Sequence, residues 1–311
     1  MPKEEMRFPS ATGLTEIYAE VWEPVNETPW AVLQLAHGMA EHIARYAPFA
    51  EYLNQAGIAV VMHDHCSHGK STKDGLQTGY FGEKDGDEAV LLDMRALNQL
   101  AHERYPDLPL VLMGHSMGSF FSRVYITRYP GDAQVLILSG TGGKNPAASA
   151  GMLVAKLERR RNGAMQPSKL LNDLSFGSFN KQFEPARTEF DWLSTDPAEV
   201  DKYIADPLCG FVFTAEAMRD LLKLMGEVSS EEWAQKVPRI PIYVFSGAKD
   251  PVGGNGKGVR QVVKWLEDAG HTVSCKLYEE GRHEMLNERN KDQVMEDILH
   301  FIKTTDTKRS E

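Results

Sequence analysis

Short apolar runs that alternate with amphipathic stretches limit the possible folds of this chain more than any other feature. The runs cover residues 31–35, 58–62, 108–113, 135–138, 240–245 and 273–278. Most are nearly continuous in apolar residues, which is typical of strands buried on both faces of a parallel sheet. Because helical patterns lie between them, the sequence predicts a parallel α/β sheet with helices on both sides.

The stretches between the runs carry apolar residues three and four positions apart, as one face of a helix requires. Such stripes lie at residues 46–53, 91–101, 259–266 and 294–302. The first part of the chain differs, since residues 6–8 and 17–22 flank Thr12 and Gly13. That pattern predicts an antiparallel hairpin at one edge of the sheet.

The alternation stops between residues 144 and 226. Helical pieces and scattered aromatic residues replace it, without a convincing strand pattern. An insertion of this size within an α/β sheet is most simply a helical cap. We therefore predict a core of residues 1–143 and 227–311 with a cap, or lid, of residues 144–226. The aromatic residues either fill the interior of the cap or line a pocket, and the sequence leaves both alternatives open.

Charge and composition exclude several functions. The chain has 311 residues, with 34 Lys and Arg against 44 Asp and Glu, and a net charge of −10. So negative a chain is poorly suited to hold a nucleic-acid backbone, and we expect no nucleic-acid partner. No apolar stretch approaches the roughly 20 residues of a membrane span, and no secretory signal is expected. Three cysteines without CxxC spacing indicate reduced thiols and a cytoplasmic location.

A G-x-S-x-G motif, Gly114-His115-Ser116-Met117-Gly118, follows one predicted strand and precedes a helical stretch. A sharp strand-to-helix turn needs small residues beside the serine, which explains glycine at both outer positions. The turn would lift the Ser116 hydroxyl out at the carboxyl edge of the sheet. It would also direct the first N–H groups of the helix at the reaction site. Ser116 is therefore the predicted nucleophile.

A serine hydroxyl needs a base that is oriented by an acid, and on this fold their order is Ser, acid, His. Asp250 follows the run 240–245, and His283 follows the run 273–278. No carboxylate follows the run 135–138, the other common place for the acid. Taken alone, Asp250 is also consistent with a turn residue before a proline, and His283 with a surface histidine. Their order and placement favour a triad of Ser116, Asp250 and His283.

An oxyanion formed at the serine needs two backbone donors. The N–H of Met117 is one candidate, because Met117 directly follows the nucleophile. The N–H of Met39 is the other, in the loop after the run 31–35. There Gly38 would let the backbone approach, and His37 would brace the loop by hydrogen bonds, a structural role rather than a catalytic one.

These motifs carry a family resemblance. The segments are HGMAEH at 37–42 with Arg45-Tyr46, GHSMGS at 114–119, DPLCGF at 206–211, SGAKDP at 246–251 and GRHEMLNE at 281–288. With them the chain resembles the monoacylglycerol lipase and lysophospholipase branch of the α/β-hydrolases, which shades into serine aminopeptidase-like members. The resemblance implies a mostly parallel eight-stranded sheet, helices on both faces and a hydrophobic cap over an acyl pocket. It also implies nucleophile Ser116, acid Asp250 and base His283.

One segment departs from the family pattern. Many relatives carry Asp-x-Arg-Gly-His-Gly after the second parallel strand, whereas residues 64–69 read DHCSHG. The change puts local bracing in question more than catalysis. His63, His65, Cys66 and His68 also crowd together like metal ligands, but no second ligand pair lies nearby. Residues 253–258 are glycine-rich but lack the phosphate-loop pattern. We expect no metal and no cofactor.

The predicted function is hydrolysis of a carboxylic ester through an acyl-enzyme. The cap is rich in aromatic residues and methionine, which suits an acyl chain, so the substrate is expected to be a small-molecule or lipid ester. A monoacylglycerol or a lysophospholipid ranks first, and a soluble short-chain ester ranks second. Aminopeptidase activity ranks third, because no carboxylate pair for a substrate ammonium is evident. A non-catalytic binding module and an acyltransferase stay open. The stretch between residues 144 and 226 also holds a basic cluster of Lys156, Arg159, Arg160 and Arg161. Three roles are open for it: attraction of a phosphate head group, peripheral contact with a membrane, or a solvated helix face without a ligand.

Overall fold

The computed structural model describes residues 3–25 and 27–305. Its strands are β1 (Lys3–Pro9), β2 (Glu16–Trp22), β3 (Ala31–Ala36), β4 (Ile58–His63), β5 (Leu110–His115), β6 (Val135–Ser139), β7 (Ile242–Gly247) and β8 (Val273–Tyr278). They form one eight-stranded sheet in the order β1-β2-β4-β3-β5-β6-β7-β8. Strand β2 runs antiparallel to β1 and β4, and the other neighbouring pairs are parallel. The predicted sheet and its edge hairpin are confirmed.

Helices cover both faces of this sheet. They are α1 (Ala47–Gln55), α2 (Gly86–Arg104), α3 (Met117–Arg128), α4 (Ala148–Asn162), α5 (Lys169–Phe176), α6 (Pro197–Ala205), α7 (Ala215–Glu227), α8 (Glu231–Lys236), α9 (Lys257–Asp268) and α10 (Lys291–Thr304). Four short 3₁₀ helices lie at Ile43–Tyr46, Phe179–Phe183, Asp191–Leu193 and Met285–Asn287. No helix in the described ranges is long and apolar enough to cross a bilayer.

The two faces of the sheet belong to separate apolar cores. Along β3, Leu33 and Leu35 pack into the core that holds α1 and α10, whereas Val32 and Ala36 pack into the core that holds α2, α3 and α9. This follows from the period of two that places successive side chains on opposite faces. The two edge strands are less buried than the others, since β1 is partly or fully exposed along its length and Cys275 of β8 is exposed.

Two strands begin later than their apolar runs indicate. The runs 108–113 and 240–245 predict strands from Leu108 and Ile240, but β5 and β7 begin at Leu110 and Ile242. A proline precedes each observed start, and proline has no N–H to give to a sheet. The two strands also extend to His115 and Gly247, and so bring the sheet edge up to the candidate site residues.

The stretch between β6 and β7 is mainly helical in its described residues, as predicted. Helices α4 and α7 pack along each other, and α7 also packs against α2 and α3. An isolated bridge joins Pro167 to Thr214. Because α7 ends at Glu227 and contacts the core directly, the limits of the cap, residues 144–226, stay a prediction.

Candidate active site

Ser116 occupies the turn between β5 and α3 with φ of 51° and ψ of −118°. A non-glycine residue with positive φ is strained, and such residues cluster at functional sites. A Cβ atom at Gly114 would collide with the Gly118 carbonyl oxygen, and one at Gly118 would collide with the Ala36 carbonyl oxygen. The turn can therefore close only with glycine at both positions, as the motif predicts.

Asp250 and His283 meet at the same edge of the sheet. His283 Nδ1 lies 3.0 Å from Asp250 Oδ2, and both side chains are buried. The carboxylate also accepts hydrogen bonds from the Ser246 hydroxyl at 2.9 Å and from the Val252 N–H at 2.9 Å. Three donors fix the carboxylate, which in turn orients the imidazole and leaves Nε2 available to take a proton.

The electrostatics of this pair favour an ionised acid beside a basic histidine. Burial raises the pKa of Asp250, but the charge and hydrogen bond of His283 outweigh it, and the net pKa lies below the ordinary value. Burial lowers the pKa of His283, but Asp250 raises it above the ordinary value overall. The ring of His115 lies 4.8 Å from that of His283. Burial, followed by the His283 charge, lowers the pKa of His115 to about 4, so His115 stays neutral.

Ser116 and His283 line one cavity, but the structure does not join them directly. Within the described chain the Ser116 hydroxyl makes no hydrogen bond, and its residue is half-buried. Hydrogen bonds between a nucleophile and its base are often long before substrate binds. The structure thus brings the three predicted triad residues to one edge and forms the acid–base contact.

The predicted oxyanion donors flank Ser116. The N–H of Met117 is the first of α3, where N–H groups have no acceptor within the helix. Met39 lines the same cavities as Ser116. The Gly38 N–H donates to Glu41 Oε1 at 2.6 Å. His37 lies 2.8 Å from the Gly38 carbonyl through Nδ1, and its Nε2 accepts the His65 N–H at 2.9 Å. These contacts are the bracing expected of His37.

The DHCSHG segment keeps its bracing with different contacts. Ser67 takes a positive φ of 61°, which glycine would adopt without strain, but its hydroxyl accepts the Tyr80 N–H at 2.9 Å. Cys66 Sγ lies 3.4 Å from Thr12 Oγ1. No three ligand atoms of residues 63–68 lie within 4.8 Å of one another. This segment supports the loop of His37 through the His65 N–H.

A buried charge network joins the loop of Gly38 to the loop of His283. Arg45 Nη1 donates to Glu41 Oε2 and to Glu284 Oε1, both at 2.7 Å, and Tyr46 donates to Glu41 Oε1 at 2.7 Å. Burial raises the pKa of Glu284, but the Arg45 charge lowers it more, so the carboxylate stays ionised. Sequence reasoning assigned these residues no role. The spacing of four between Glu41 and Arg45 is a signal for one contact, but none marks the partner 239 residues away.

Replacing Arg45 with methionine will lower the free energy of unfolding by about 3–5 kcal/mol, because two buried carboxylates lose their cation. Urea unfolding measures the change. The matched control is Arg104→Met, which breaks ion pairs to Glu4 and Glu23 at the surface and will cost less than about 1 kcal/mol. Equal losses in the two variants would mean that the network does not stabilise the fold.

Gly140 is a second contact that the sequence did not reveal. It follows β6 with φ of 59°, and a Cβ atom there would lie 2.9 Å from His283 Cε1. The sequence after β6 indicates only that the segment holds no carboxylate for the acid. The structure shows instead that it forms one wall against the His283 ring.

Replacing Gly140 with alanine will lower kcat by about 10²-fold, since the methyl group displaces the His283 ring by about 1 Å. Initial rates on a soluble ester measure the change. Gly13→Ala is the control, because Gly13 has a similar φ of 67° with no atom within 4 Å of the added Cβ. It carries the backbone strain without the collision and will retain parental kcat. A Gly140→Ala variant that is equally active would contradict the contact.

Comparison with known proteins identifies the family. The sequence profile of the family Hydrolase_4, described as serine aminopeptidase, S33, matches residues 27–290. The chain belongs to this family. The monoacylglycerol lipase of Mycolicibacterium smegmatis is 30% identical over 303 residues, 96% of this chain and 97% of the relative.

Two solved structures extend the comparison. A thermostable carboxyl esterase from Bacillus coagulans, solved with glycerol, is 34% identical with a TM-score of 0.92, over 98% of this chain and 99% of that one. A lipase in an open form is 27% identical with a TM-score of 0.89, over 99% of this chain and 100% of that one. This member of the family is an enzyme, a carboxylic ester hydrolase of the lipase type with the α/β-hydrolase fold. The resemblance to the monoacylglycerol lipase branch is confirmed.

In this hydrolase two cavities meet at Ser116, Met39 and Phe176. The apolar cavity, of about 860 Å³, is lined among others by Phe120, Val154, Leu171, Met218, Leu221, Leu222, Met225 and Val252. The second cavity, of about 780 Å³, is the more polar of the two and is called the polar cavity below; it is lined among others by Lys169, Asn172, Asp173, Arg187, Glu189, Trp192, Tyr203, His283 and Glu284. One side of the nucleophile thus suits a hydrocarbon chain and the other a polar group.

The aromatic residues of the stretch between β6 and β7 divide between the two alternatives left open by the sequence. Phe176, Phe190, Trp192 and Phe211 line the polar cavity, and Phe179 lines the apolar one together with Phe176. The Trp192 ring lies 5.1 Å from the His283 ring. By contrast, Phe213 is buried in the core.

Proposed function

We propose that the enzyme hydrolyses monoacylglycerols to a fatty acid and glycerol. The observation that carries the proposal is the pair of cavities that meet at Ser116, one apolar and one polar. The acyl chain would occupy the apolar cavity, and the glycerol would occupy the polar cavity. The monoacylglycerol lipase named among the relatives supports the same substrate class.

The reaction would proceed through an acyl-enzyme. Ser116 attacks the ester carbonyl while His283 Nε2 takes its proton, and Asp250 holds the tautomer and stabilises the imidazolium. The N–H groups of Met39 and Met117 bind the oxyanion. His283 then gives its proton to the leaving alcohol. Water, activated in turn by His283, releases the fatty acid and restores Ser116.

The charges near the polar cavity favour a neutral head group over a phosphate. Both cations that line it in the described chain are already paired, Lys169 with Asp173 at 2.6 Å and Arg187 with Asp201 at 2.6 Å. A phosphate is usually held by unpaired cations, Arg above all. This pairing supports a monoacylglycerol over a lysophospholipid.

The basic cluster gives no support to phosphate binding in either cavity. Arg159 Nε forms an ion pair with buried Glu216 at 2.7 Å. Lys156, Arg160 and Arg161 are exposed, and none of the four residues lines either of the two cavities. The exposed cations of this cluster therefore either face solvent or contact an anionic surface.

Aminopeptidase activity is the second candidate, because Asp173 and Glu189 line the polar cavity and the family description names it. These two carboxylates could hold a substrate ammonium, and no such pair is evident from the sequence. However, Asp173 is held by Lys169.

Fatty-acid release from a monoacylglycerol and from a lysophosphatidylcholine of the same acyl chain tests the proposal. Aniline release from an aminoacyl anilide is measured beside them. Ser116→Ala is the blank. We expect kcat/KM to be highest for the monoacylglycerol. Preference for the lysophospholipid would contradict the argument from paired cations, and release from the anilide alone would establish the aminopeptidase.

Replacing Val154 with tryptophan will lower kcat/KM for a long-chain ester by at least about tenfold and leave an acetyl ester unaffected. The indole would fill the apolar cavity, and each buried CH₂ that the acyl chain loses there is worth about 0.8 kcal/mol. The control is Val25→Trp, which places the same indole at an exposed valine that is distant from Val154 in the sequence. An equal loss for both esters would mean that the apolar cavity does not hold the acyl chain.

We also propose peripheral contact of α4 and α5 with an anionic membrane surface. Leu153, Leu157, Leu170 and Leu174 are exposed in pairs four residues apart, and the exposed cations of the basic cluster lie among them. Apolar insertion and attraction to anionic lipid would act together. Sedimentation with phosphatidylglycerol vesicles should weaken in a Leu153→Ser, Leu157→Ser double variant and not in Leu92→Ser, an exposed leucine of α2. Equal binding would refute the contact.

We propose a cytoplasmic location for the enzyme. Cys66, Cys209 and Cys275 are free thiols, and such thiols persist in reducing compartments. Fractionation of cells that express the chain without a tag would test this. Recovery outside the cytoplasm would contradict it.

A further inference from the structure

Three potential metal ligands converge beside the active site, outside the catalytic residues. The ligand atoms of His42, Asp206 and Cys209 lie within 4.8 Å of one another. His42 Nε2 is 2.9 Å from Asp206 Oδ2. The side chains of His42 and Asp206 are 10% and 30% exposed, and Cys209 is half-buried, so an ion can reach the site from solvent.

The backbone already holds two of the three ligands in place. The Leu208 N–H donates to Asp206 Oδ1 at 2.8 Å, and the Cys209 N–H donates to the Asp206 carbonyl at 3.0 Å. This turn presents Asp206 Oδ2 and the Cys209 thiol on the same side as His42. In the described chain the thiol makes no hydrogen bond of its own, so its sulfur is available for a ligand.

The surrounding charge also favours a cation. Arg45 lies close to Cys209, but its charge is neutralised by Glu41 and Glu284. With Asp206, the three carboxylates exceed the single guanidinium by two negative charges when His42 is neutral. The field at the site is therefore negative in spite of the nearby arginine.

We propose that His42, Asp206 and Cys209 bind a divalent transition-metal ion of the zinc class. One imidazole nitrogen, one carboxylate oxygen and one thiolate are a donor set that suits Zn²⁺, with water as the fourth ligand. The edges of a tetrahedral zinc site are about 3.3–3.8 Å. His42 Nε2 and Asp206 Oδ2, now 2.9 Å apart, must therefore separate by about 0.5 Å to admit the ion, whereas Cys209 Sγ, within 4.8 Å of both, need approach by no more than about 1–1.5 Å. On binding, the thiol loses its proton to solvent, and the hydrogen bond between His42 Nε2 and Asp206 breaks. Nε2 gives up its proton to solvent and Nδ1 takes one up, so that the ring stays neutral and Nε2 is free to coordinate the ion.

A bound ion would fasten the oxyanion loop to the stretch between β6 and β7. His42 ends the HGMAEH segment, and the other two ligands lie between α6 and α7. The same junction is already joined at Ala40, whose carbonyl accepts the Gly210 N–H at 2.9 Å and the Tyr203 hydroxyl at 3.0 Å. The ion would replace the hydrogen bond between His42 and Asp206 with metal bonds from His42, Asp206 and Cys209, and so hold Met39 more firmly. The proposal does not depend on the identity of the substrate.

Titration of the metal-free full chain with Co²⁺, under a thiol-free reductant, tests the site. We expect a thiolate-to-cobalt charge-transfer absorption that saturates at one equivalent and is displaced by Zn²⁺. Cys209→Ser should abolish the absorption, and His42→Ala should weaken Co²⁺ binding by at least about tenfold. Cys275→Ser, which removes an exposed cysteine of β8, should leave it unchanged.

Three results would overturn the proposal: no charge-transfer absorption at millimolar Co²⁺, retention of the absorption in Cys209→Ser, or its loss in Cys275→Ser. Circular dichroism of each variant, together with fluorophosphonate labelling of Ser116, establishes that the variants are folded. Because the absorption reports the metal directly, the result is separate from any measurement of ester hydrolysis.

Discussion

Replacing Ser116 with alanine will lower kcat for ester hydrolysis by about 10⁴-fold or more. The substitution removes the atom proposed to form the acyl-enzyme, whereas the proposed oxyanion donors and both cavities remain. Substrate binding will therefore change little, and the loss will fall on kcat. Initial rates on a soluble ester measure it, and mass spectrometry after fluorophosphonate treatment should show one adduct on the parent, at Ser116, and none on the variant.

Ser122→Ala is the matched control for this experiment. Ser122 lies on α3 below the nucleophile, and its buried hydroxyl has no partner among the described residues. Its removal leaves no group without a hydrogen bond, so activity should match that of the parent. Retention of ester hydrolysis within about tenfold in Ser116→Ala would mean that another residue is the nucleophile, since the loss of such a group normally costs several orders of magnitude.

Local sequence signals were sufficient to predict the sheet and to place Asp250 and His283 at one edge of it. The apolar runs predicted the strands because strands buried on both faces have little polar sequence. Asp250 and His283 could be placed because parallel strands end at a common edge, so two residues after two strands are neighbours in space. Their side-chain contact at 3.0 Å agrees with that placement.

The remaining parts of the site depend on contacts that no local pattern records. Arg45 reaches Glu284 across 239 residues, and Gly140 matters through a collision that only the packed structure reveals. The sequence also did not predict the path of the stretch between β6 and β7, because most of its helices are short and α7 packs against the core as well as against α4. Its aromatic residues therefore could not be divided in advance between interior and pocket.

Replacing Asp250 with asparagine will lower kcat by about 10³–10⁴-fold. The amide cannot stabilise a charged imidazole, and it can donate to Nδ1 and so favour the wrong tautomer of His283. Burial of the pair increases the effect, because water cannot take the place of the carboxylate. Initial rates across a range of pH measure both the size of the loss and its pH dependence.

The direction of the pH change follows from the charges around His283. Burial lowers the pKa of His283, and the Asp250 carboxylate raises it above the ordinary value. The base acts when neutral, so the kcat/KM of the parent falls as pH drops through this raised pKa. In Asp250→Asn the burial remains and the carboxylate charge is lost, so the acid limb will move to lower pH although the rate is smaller. Asp93→Asn, which changes a buried carboxylate hydrogen-bonded to Ser10, should leave the limb in place. An unmoved limb in Asp250→Asn would mean that it reports a group other than His283.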